Sequence, residues 1–311
     1  MSDTITTPIK HLIALMGPTA SGKTSLAIQL AKKYETEIIS VDSRQFYKEM
    51  EIGTAKPTEA QLAEVKHHFI NNLSIHQEYT AGHFAKEANS VIDELFKTHD
   101  TVIAVGGSTL YFKALLEGID AFPEITKEAR EQVKGIENIL GLSGLQKALK
   151  EADSDYFKLV DIENPRRVIR ALEVCYSVGK PYSSYLKKNK PEAKGYTVIK
   201  IGIDVPRSVL YKNIDTRCDE MIANGLLEEV KRLYPYRNLK PLHTVGYTEF
   251  FDYLDDKTNL EIAITLFKQH TRNYAKRQMT WLRREEGLEW VEADKVDEFL
   301  NNAAKNTGFE H

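Results

Sequence analysis

The feature that most constrains this chain is a run near its start, Gly17-Pro18-Thr19-Ala20-Ser21-Gly22-Lys23-Thr24. It fits G-x-x-x-x-G-K-[ST], the pattern of a phosphate-cradling loop. Such a loop needs a strand before it and a helix after it, and the sequence offers both. His11-Leu12-Ile13-Ala14-Leu15-Met16 is an apolar run of strand length, and Ser25–Tyr34 carries Leu26, Ile28 and Leu30 in a helical pattern. The glycines let successive backbone N–H groups turn inward as an anion nest. The following helix adds the positive end of its dipole. Lys23 supplies a mobile cation, and the Thr24 hydroxyl is a candidate ligand for Mg²⁺. The loop predicts an anion site; it does not say whose phosphates fill it.

A second apolar run, Glu37-Ile38-Ile39-Ser40-Val41-Asp42, ends in a carboxylate. Ligands of open α/β sheets gather at the carboxyl ends of strands, which makes Asp42 a candidate for chemistry. Capping a turn or helix is its competing role. A helix is expected over Thr80–Phe96, started by the cap-forming Thr80. The third strand, Thr101–Gly107, ends in two glycines. Nucleotide-hydrolysing relatives of this loop end that strand with an acid that positions Mg²⁺ and water. The omission argues against a motor or a switch. Further strands are expected at Tyr196–Asp204 and Leu288–Glu292. Further helices are expected within Pro206–Tyr234, over Thr248–Leu254, from about Leu260 to Arg284 and over Val296–Ala304. The expected fold is α/β: a P-loop NTPase-like parallel sheet flanked by helices, built from residues 1–118 and 196–311. Residues 119–195 are charged, punctuated by Gly and Pro and without a clear strand, so they read as an all-helical insertion domain.

Net charge is −3 over 311 residues, so any nucleic-acid contact must come from local patches. Two are visible. Arg166 and Arg170 sit four apart after Pro165 and share a helix face. The second half of the Leu260–Arg284 helix carries Lys268, Arg272, Lys276, Arg277, Arg283 and Arg284, with Tyr274 and Trp281 interleaved. That pattern suits an RNA backbone, or else a solvated helix paired to acids elsewhere. Cys175 and Cys218 are the only cysteines, which excludes a disulfide framework and a zinc cluster and suits a reducing, cytoplasmic setting. Met1–Lys10 is polar, and no apolar run reaches membrane-spanning length. A monomer is expected.

Taken together, these stretches resemble the bacterial tRNA dimethylallyltransferases. The resemblance is carried by GPTASGKT from Gly17, ISVDSRQFYKEMEIGTAKP from Ile39, VGGSTLYFKALLEG from Val105 and NPRRVIRALEV from Asn164. It continues through RCDEMIANGLLEEV from Arg217, VGYTEF from Val245 and AKRQMTWLRR from Ala275. It implies transfer of a dimethylallyl group from dimethylallyl diphosphate to N6 of the adenosine 3′-adjacent to the anticodon (position 37). The tRNAs concerned read codons beginning with U, and diphosphate is released. It implies that Thr19–Thr24 hold the prenyl diphosphate within a Gly17–Thr24 loop of the generic nucleotide-binding, ATP-binding kind. Asp42 is implied to take the N6 proton, and Arg217 to reach the diphosphate alongside Lys23 and Thr24. Implied tRNA contacts are Asp42, Ser43, Arg44, Gln45, Ser108, Arg130, Arg166, Arg167, Arg170, His243, Gly246, Tyr247, Lys276, Arg277 and Arg283. The chain departs from the family pattern at three places. Gly107-Ser108-Thr109 replaces a usual Gly-Thr-Gly, Arg166 stands where Gln is common, and His243 and Thr248 replace frequent Arg, Gln or Lys.

The residues support that chemistry independently. An allylic diphosphate ionises readily, so the protein must chiefly stabilise the departing diphosphate. A positioned carboxylate can accept the amine proton, and reaching N6 requires an extruded base. Phe46 and Tyr47, beside Asp42, are candidates either for stacking on bases or for the core. The rival enzymes are a small-molecule kinase and an adenylate isopentenyltransferase; the non-enzymatic rival is a nucleotide-gated RNA-binding module.

Overall fold

The computed structural model describes residues 9–118, 120, 122–186 and 194–307. The polar Met1–Pro8 stretch and the end of the expected insertion, residues 187–193, lie outside the described residues. In chain order the elements are β1 (His11–Met16), α1 (Lys23–Lys33), β2 (Ile38–Val41), α2 (Glu59–Glu64), β3 (His67–His68), α3 (Ala81–Leu95), β4 (Thr101–Gly106) and α4 (Thr109–Glu117). There follow α5 (Lys127–Ala152), α6 (Ser154–Leu159), α7 (Pro165–Val178), β5 (Thr197–Asp204), α8 (Arg207–Ala223), α9 (Leu226–Leu233), α10 (Thr248–Leu254), α11 (Leu260–Leu282), β6 (Leu288–Glu292) and α12 (Val296–Thr307).

Six strands form one sheet in the order β3-β2-β4-β1-β5-β6, and every pairing is parallel. Because both faces are covered, β1, β2 and β4 are buried along their whole length and read as continuous apolar runs. Alternate side chains enter opposite cores. Leu12, Ala14, Met16, Ile39, Val41, Val102 and Ala104 face one layer, while Ile13, Leu15, Ile38, Ile103 and Val105 face the layer holding α1. Phe46 and Tyr47 belong to the first core: Phe46 is fully buried and stacks on Phe84 with ring centroids 5.5 Å apart. They are packing residues, not base-stacking platforms.

Local signals place the helix ends as expected. Thr80 Oγ1 accepts the His83 N–H at 3.2 Å to cap α3, and Asn259 Oδ1 accepts the Ile262 N–H at 2.9 Å to cap α11. The Pro206–Tyr234 stretch is two helices, because Gly225 takes φ 97° between α8 and α9.

Chain packing divides the molecule into two compact units, Met1–Leu116 with Ala193–His311, and Glu117–Glu192. The second unit is helical. Its own core comprises Val133, Leu145, Leu149, Val168, Ala171 and Leu172, contributed by α5 and α7. α5 breaks at Gly141, which takes φ 61°. The buried Asp153 carboxylate caps α6 through the Tyr156 N–H at 2.9 Å and also accepts the Ser183 N–H at 2.6 Å. Among the described residues, no helix is long and apolar enough to cross a membrane.

Candidate active site

The site grows from the carboxyl ends of β1, β2 and β4. The loop after β1 is built as its glycines require. Gly22 takes φ 83° at the N-terminus of α1, and a Cβ on Gly17 would stand 2.8 Å from Ser21 Oγ. The Lys23 ammonium donates to the Pro18 carbonyl at 2.9 Å, folding the cation back over the loop. One cleft is lined by Thr19, Ala20, Lys23 and Thr24 from this loop, by Asp42 and Arg44 after β2, and by Arg217 from α8.

Asp42 caps a turn at the end of β2 and also lines the cleft. Oδ1 accepts the Arg44 N–H at 3.0 Å, a side-chain-capped turn. The residue also lines the cleft, within electrostatic reach of Lys23 and Arg217. Burial first and the nearby Arg217 second hold the Lys23 pKa down at about 8, with Asp42 opposing both. Burial also lowers Arg217, again opposed by Asp42. Arg217 donates from Nη1 to Thr19 Oγ1 at 3.3 Å and from Nη2 to the Ala55 carbonyl at 3.4 Å. Two cations and one carboxylate therefore meet at a single glycine-bounded loop.

The Gly106-Gly107 ending of β4 has a steric cause. A Cβ on Gly106 would lie 2.0 Å from the Val41 carbonyl oxygen, and one on Gly107 would lie 2.3 Å from Gln278 Nε2. The acid that nucleotide hydrolases carry there has no room in this chain. Gln278 itself lies in the basic helix but is buried. Its Oε1 accepts the Thr19 N–H at 2.9 Å and its Nε2 donates to the Gly107 carbonyl at 2.8 Å.

The Ile52–Pro57 segment arches over the cleft from the β2 side. Glu229, 2% exposed, accepts N–H groups from Glu51 at 3.0 Å, Ile52 at 2.8 Å and Gly53 at 3.0 Å, and the Tyr247 hydroxyl at 2.7 Å. Gln45 Nε2 donates to the Ala55 carbonyl at 3.1 Å from below. The Ala55 carbonyl therefore meets Gln45 and Arg217 together. Neither Gln278 nor Glu229 stood out in the sequence. The signal for Gln278 was its spacing from Tyr274 and Thr271, since all three line the cleft on one face of α11.

Three of the expected RNA contacts fall on buried residues with partners inside the protein. Tyr247 is fully buried against Gly53 and bonded to Glu229. Gly246 is buried and donates its N–H to Glu249 at 2.9 Å. Ser108, 7% exposed, accepts the Ser43 N–H at 2.9 Å and so ties the ends of β4 and β2 together. The basic stripe on α11 is corrected in part as well. Lys268 pairs with Asp219 at 2.6 Å and Arg272 with Asp215, both on α8. Lys276, Arg277, Arg283 and Arg284 are exposed, as is His243. In the helical unit Arg130, Arg166, Arg167 and Arg170 are exposed, and the Arg170 guanidinium lies over the Phe122 ring at 5.9 Å.

A family model described as IPP transferase matches residues 45–285. The chain belongs to the IPP transferase family. Relatives in this family include a tRNA dimethylallyltransferase of Christiangramia forsetii, 48% identical over 285 residues, covering 92% of this chain and 94% of that protein. A tRNA dimethylallyltransferase of Flavobacterium psychrophilum is 44% identical over 308 residues, covering 96% of this chain and all of its own. Among solved structures, the full-length tRNA isopentenylpyrophosphate transferase from Bacillus halodurans superposes with a TM-score of 0.70 at 33% identity, covering 95% and 96% of the two chains. A eukaryotic dimethylallyltransferase acting on tRNA superposes with a TM-score of 0.78 at 27% identity, covering 96% of this chain and 77% of that one. The stretches GPTASGKT, VDSRQFY and IGTAKP each contribute residues that line the cleft in this chain.

Proposed function

We propose that this IPP transferase moves a dimethylallyl group from dimethylallyl diphosphate to N6 of the adenosine 3′-adjacent to the anticodon in tRNAs reading codons that begin with U. The observation that carries this reading is the meeting of Asp42, Lys23 and Arg217 around one phosphate loop. The loop N–H groups, Lys23 and Arg217 hold the diphosphate. As the allylic C–O bond breaks, its electron pair goes to the diphosphate, whose growing charge these groups stabilise. The N6 lone pair forms the new C–N bond, and Asp42 accepts the proton released. Ile214, Met221, Val245 and Phe267 line the same cleft and give the prenyl tail an apolar seat. The exposed arginines and lysines of α7 and α11 supply the contacts to RNA phosphate.

Mg²⁺ fits this site as an ion shared with the substrate. Thr24 lines the cleft. Among the described residues, no group of three or more His, Cys, Asp or Glu is placed to form a closed metal cage. Mg²⁺ is commonly held by few protein ligands, substrate phosphate oxygens and water. Thr24 would hold the ion, and when bound it would neutralise charge on the leaving diphosphate.

The test offers the protein an anticodon stem-loop, AMP and small-molecule alcohols as acceptors, with dimethylallyl diphosphate or ATP as donor. Prenyl transfer to the stem-loop alone is expected. Asp42→Asn should lower kcat by about 10²–10⁴-fold while stem-loop affinity stays within a few-fold. Prenylation of AMP in preference to the stem-loop, or ATP turnover without prenyl transfer, would overturn the reading.

A further inference from the structure

Gln278 is a buried polar side chain whose amide oxygen and amide nitrogen each meet a backbone partner, in two distant places. Its Nε2 donates to the carbonyl of Gly107, just after β4, and its Oε1 accepts the N–H of Thr19 in the phosphate loop. The opposite amide orientation would set N–H against N–H and carbonyl against carbonyl, so the partners fix which way the amide points. The fit is tight, for a Cβ on Gly107 would meet Nε2 at 2.3 Å and the Gly17 carbonyl at 3.0 Å. Thr19 is held a second time, by Arg217 on its hydroxyl at 3.3 Å. The neighbouring Pro18 carbonyl receives Lys23.

We propose that Gln278 is a positioning residue for the leaving group: by pinning the Thr19 amide to α11, it sets the loop conformation in which Lys23 and Arg217 converge on the diphosphate. This rests on the reading of Gly17–Thr24 as a prenyl diphosphate site. Thr19 sits where a small displacement of the backbone moves two cations at once. Breaking either bond leaves the buried Gly107 carbonyl or the part-buried Thr19 N–H without that partner, which the loop relieves by shifting.

The test uses the full chain with Gln278→Glu and Gln278→Met. When ionised, the carboxylate introduced by Gln278→Glu keeps an acceptor for Thr19 but sets an anionic oxygen against the Gly107 carbonyl. When protonated, it offers an O–H to Gly107 and a carbonyl to Thr19, so both bonds return. KM for dimethylallyl diphosphate is therefore expected to rise at least tenfold at pH 8 in Gln278→Glu. It should fall back toward the parent value as the pH is lowered through the introduced carboxyl's own titration, after correction for the parent's own profile. Gln278→Met has neither bond at any pH and should show the raised KM without recovery. Calorimetric titration with inorganic diphosphate should show the same losses, and stem-loop affinity should stay within twofold. Variants that bind diphosphate as the parent does overturn the inference and leave the reading of the loop standing. So does a parallel loss of stem-loop affinity, the mark of general unfolding. A parent that ignores diphosphate overturns both.

Discussion

At the scale of single residues, the site is a problem of placing like charges together. Lys23 and Arg217 share a half-buried cleft, and the pKa of Lys23 is held at about 8 by burial first and Arg217 second. A lysine in that state is partly neutral just above neutrality. Binding a fully ionised prenyl diphosphate adds a strong opposite charge, which raises the lysine's pKa. The sign follows: at pH 8.5 to 9 the free protein holds less than a full proton on Lys23, and the complex holds more. Binding should therefore take up protons, by an amount that shrinks as the pH falls below 7. Calorimetry of dimethylallyl diphosphate binding in buffers of different ionisation enthalpy reads this directly. Lys23→Met should bind more weakly and without the uptake. Uptake that persists in Lys23→Met would place the titrating group elsewhere. Arg217, whose guanidinium stays charged across this range, contributes affinity without proton exchange.

At the scale of elements, α11 joins two surfaces. Thr271, Tyr274 and Gln278 line the cleft, while Lys276, Arg277, Arg283 and Arg284 face solvent. The sequence showed the helix and its charge, because apolar periodicity and a basic run are local signals. It did not show which cations were already engaged. The acids that take Lys268 and Arg272 lie 49 and 57 residues away on α8, and the partners of Gln278 lie 259 and 171 residues away. The buried strands, the loop and the cap at Thr80 were readable for the same reason: each depends on near neighbours. β3, two residues long, is too short to carry a period. The arch at Ile52–Pro57 was readable only as a motif, since its shape comes from Glu229 and Tyr247. A different prediction follows for each class of cation. Lys276→Ala with Arg283→Ala should weaken stem-loop binding and lower the salt slope by about one per residue removed. Arg272→Ala should leave the slope unchanged, because that charge is already paired with Asp215. Binding measured across a series of salt concentrations separates them, and an equal loss of slope in both would show that the pair opens to meet RNA.

At the scale of the whole molecule, a chain of net charge −3 and isoelectric point near 6.3 gains little from bulk attraction to RNA. Affinity must therefore be concentrated where cations are exposed together. One such place is α11. The other lies in the helical unit, where Pro165 begins α7 and Arg166, Arg167 and Arg170 are all exposed in its first turns. Their backbone is fixed by Val168, Ala171 and Leu172, which are fully buried in that unit's core. These arginines are therefore presented by a rigid element, and removing them leaves the packing intact. Arg166→Ala with Arg170→Ala should change unfolding free energy by less than about 0.5 kcal/mol, the ordinary range for exposed positions. Arg170 carries a small added cost from its contact with Phe122. The same double change should weaken stem-loop binding and reduce its salt slope by about two. Diphosphate affinity should stay at the parental value, since the phosphate loop belongs to the other unit. If stem-loop binding keeps the parental slope while transfer to the stem-loop is unimpaired, the helical unit is not an RNA surface. The cations of α11 would then have to account for recognition by themselves.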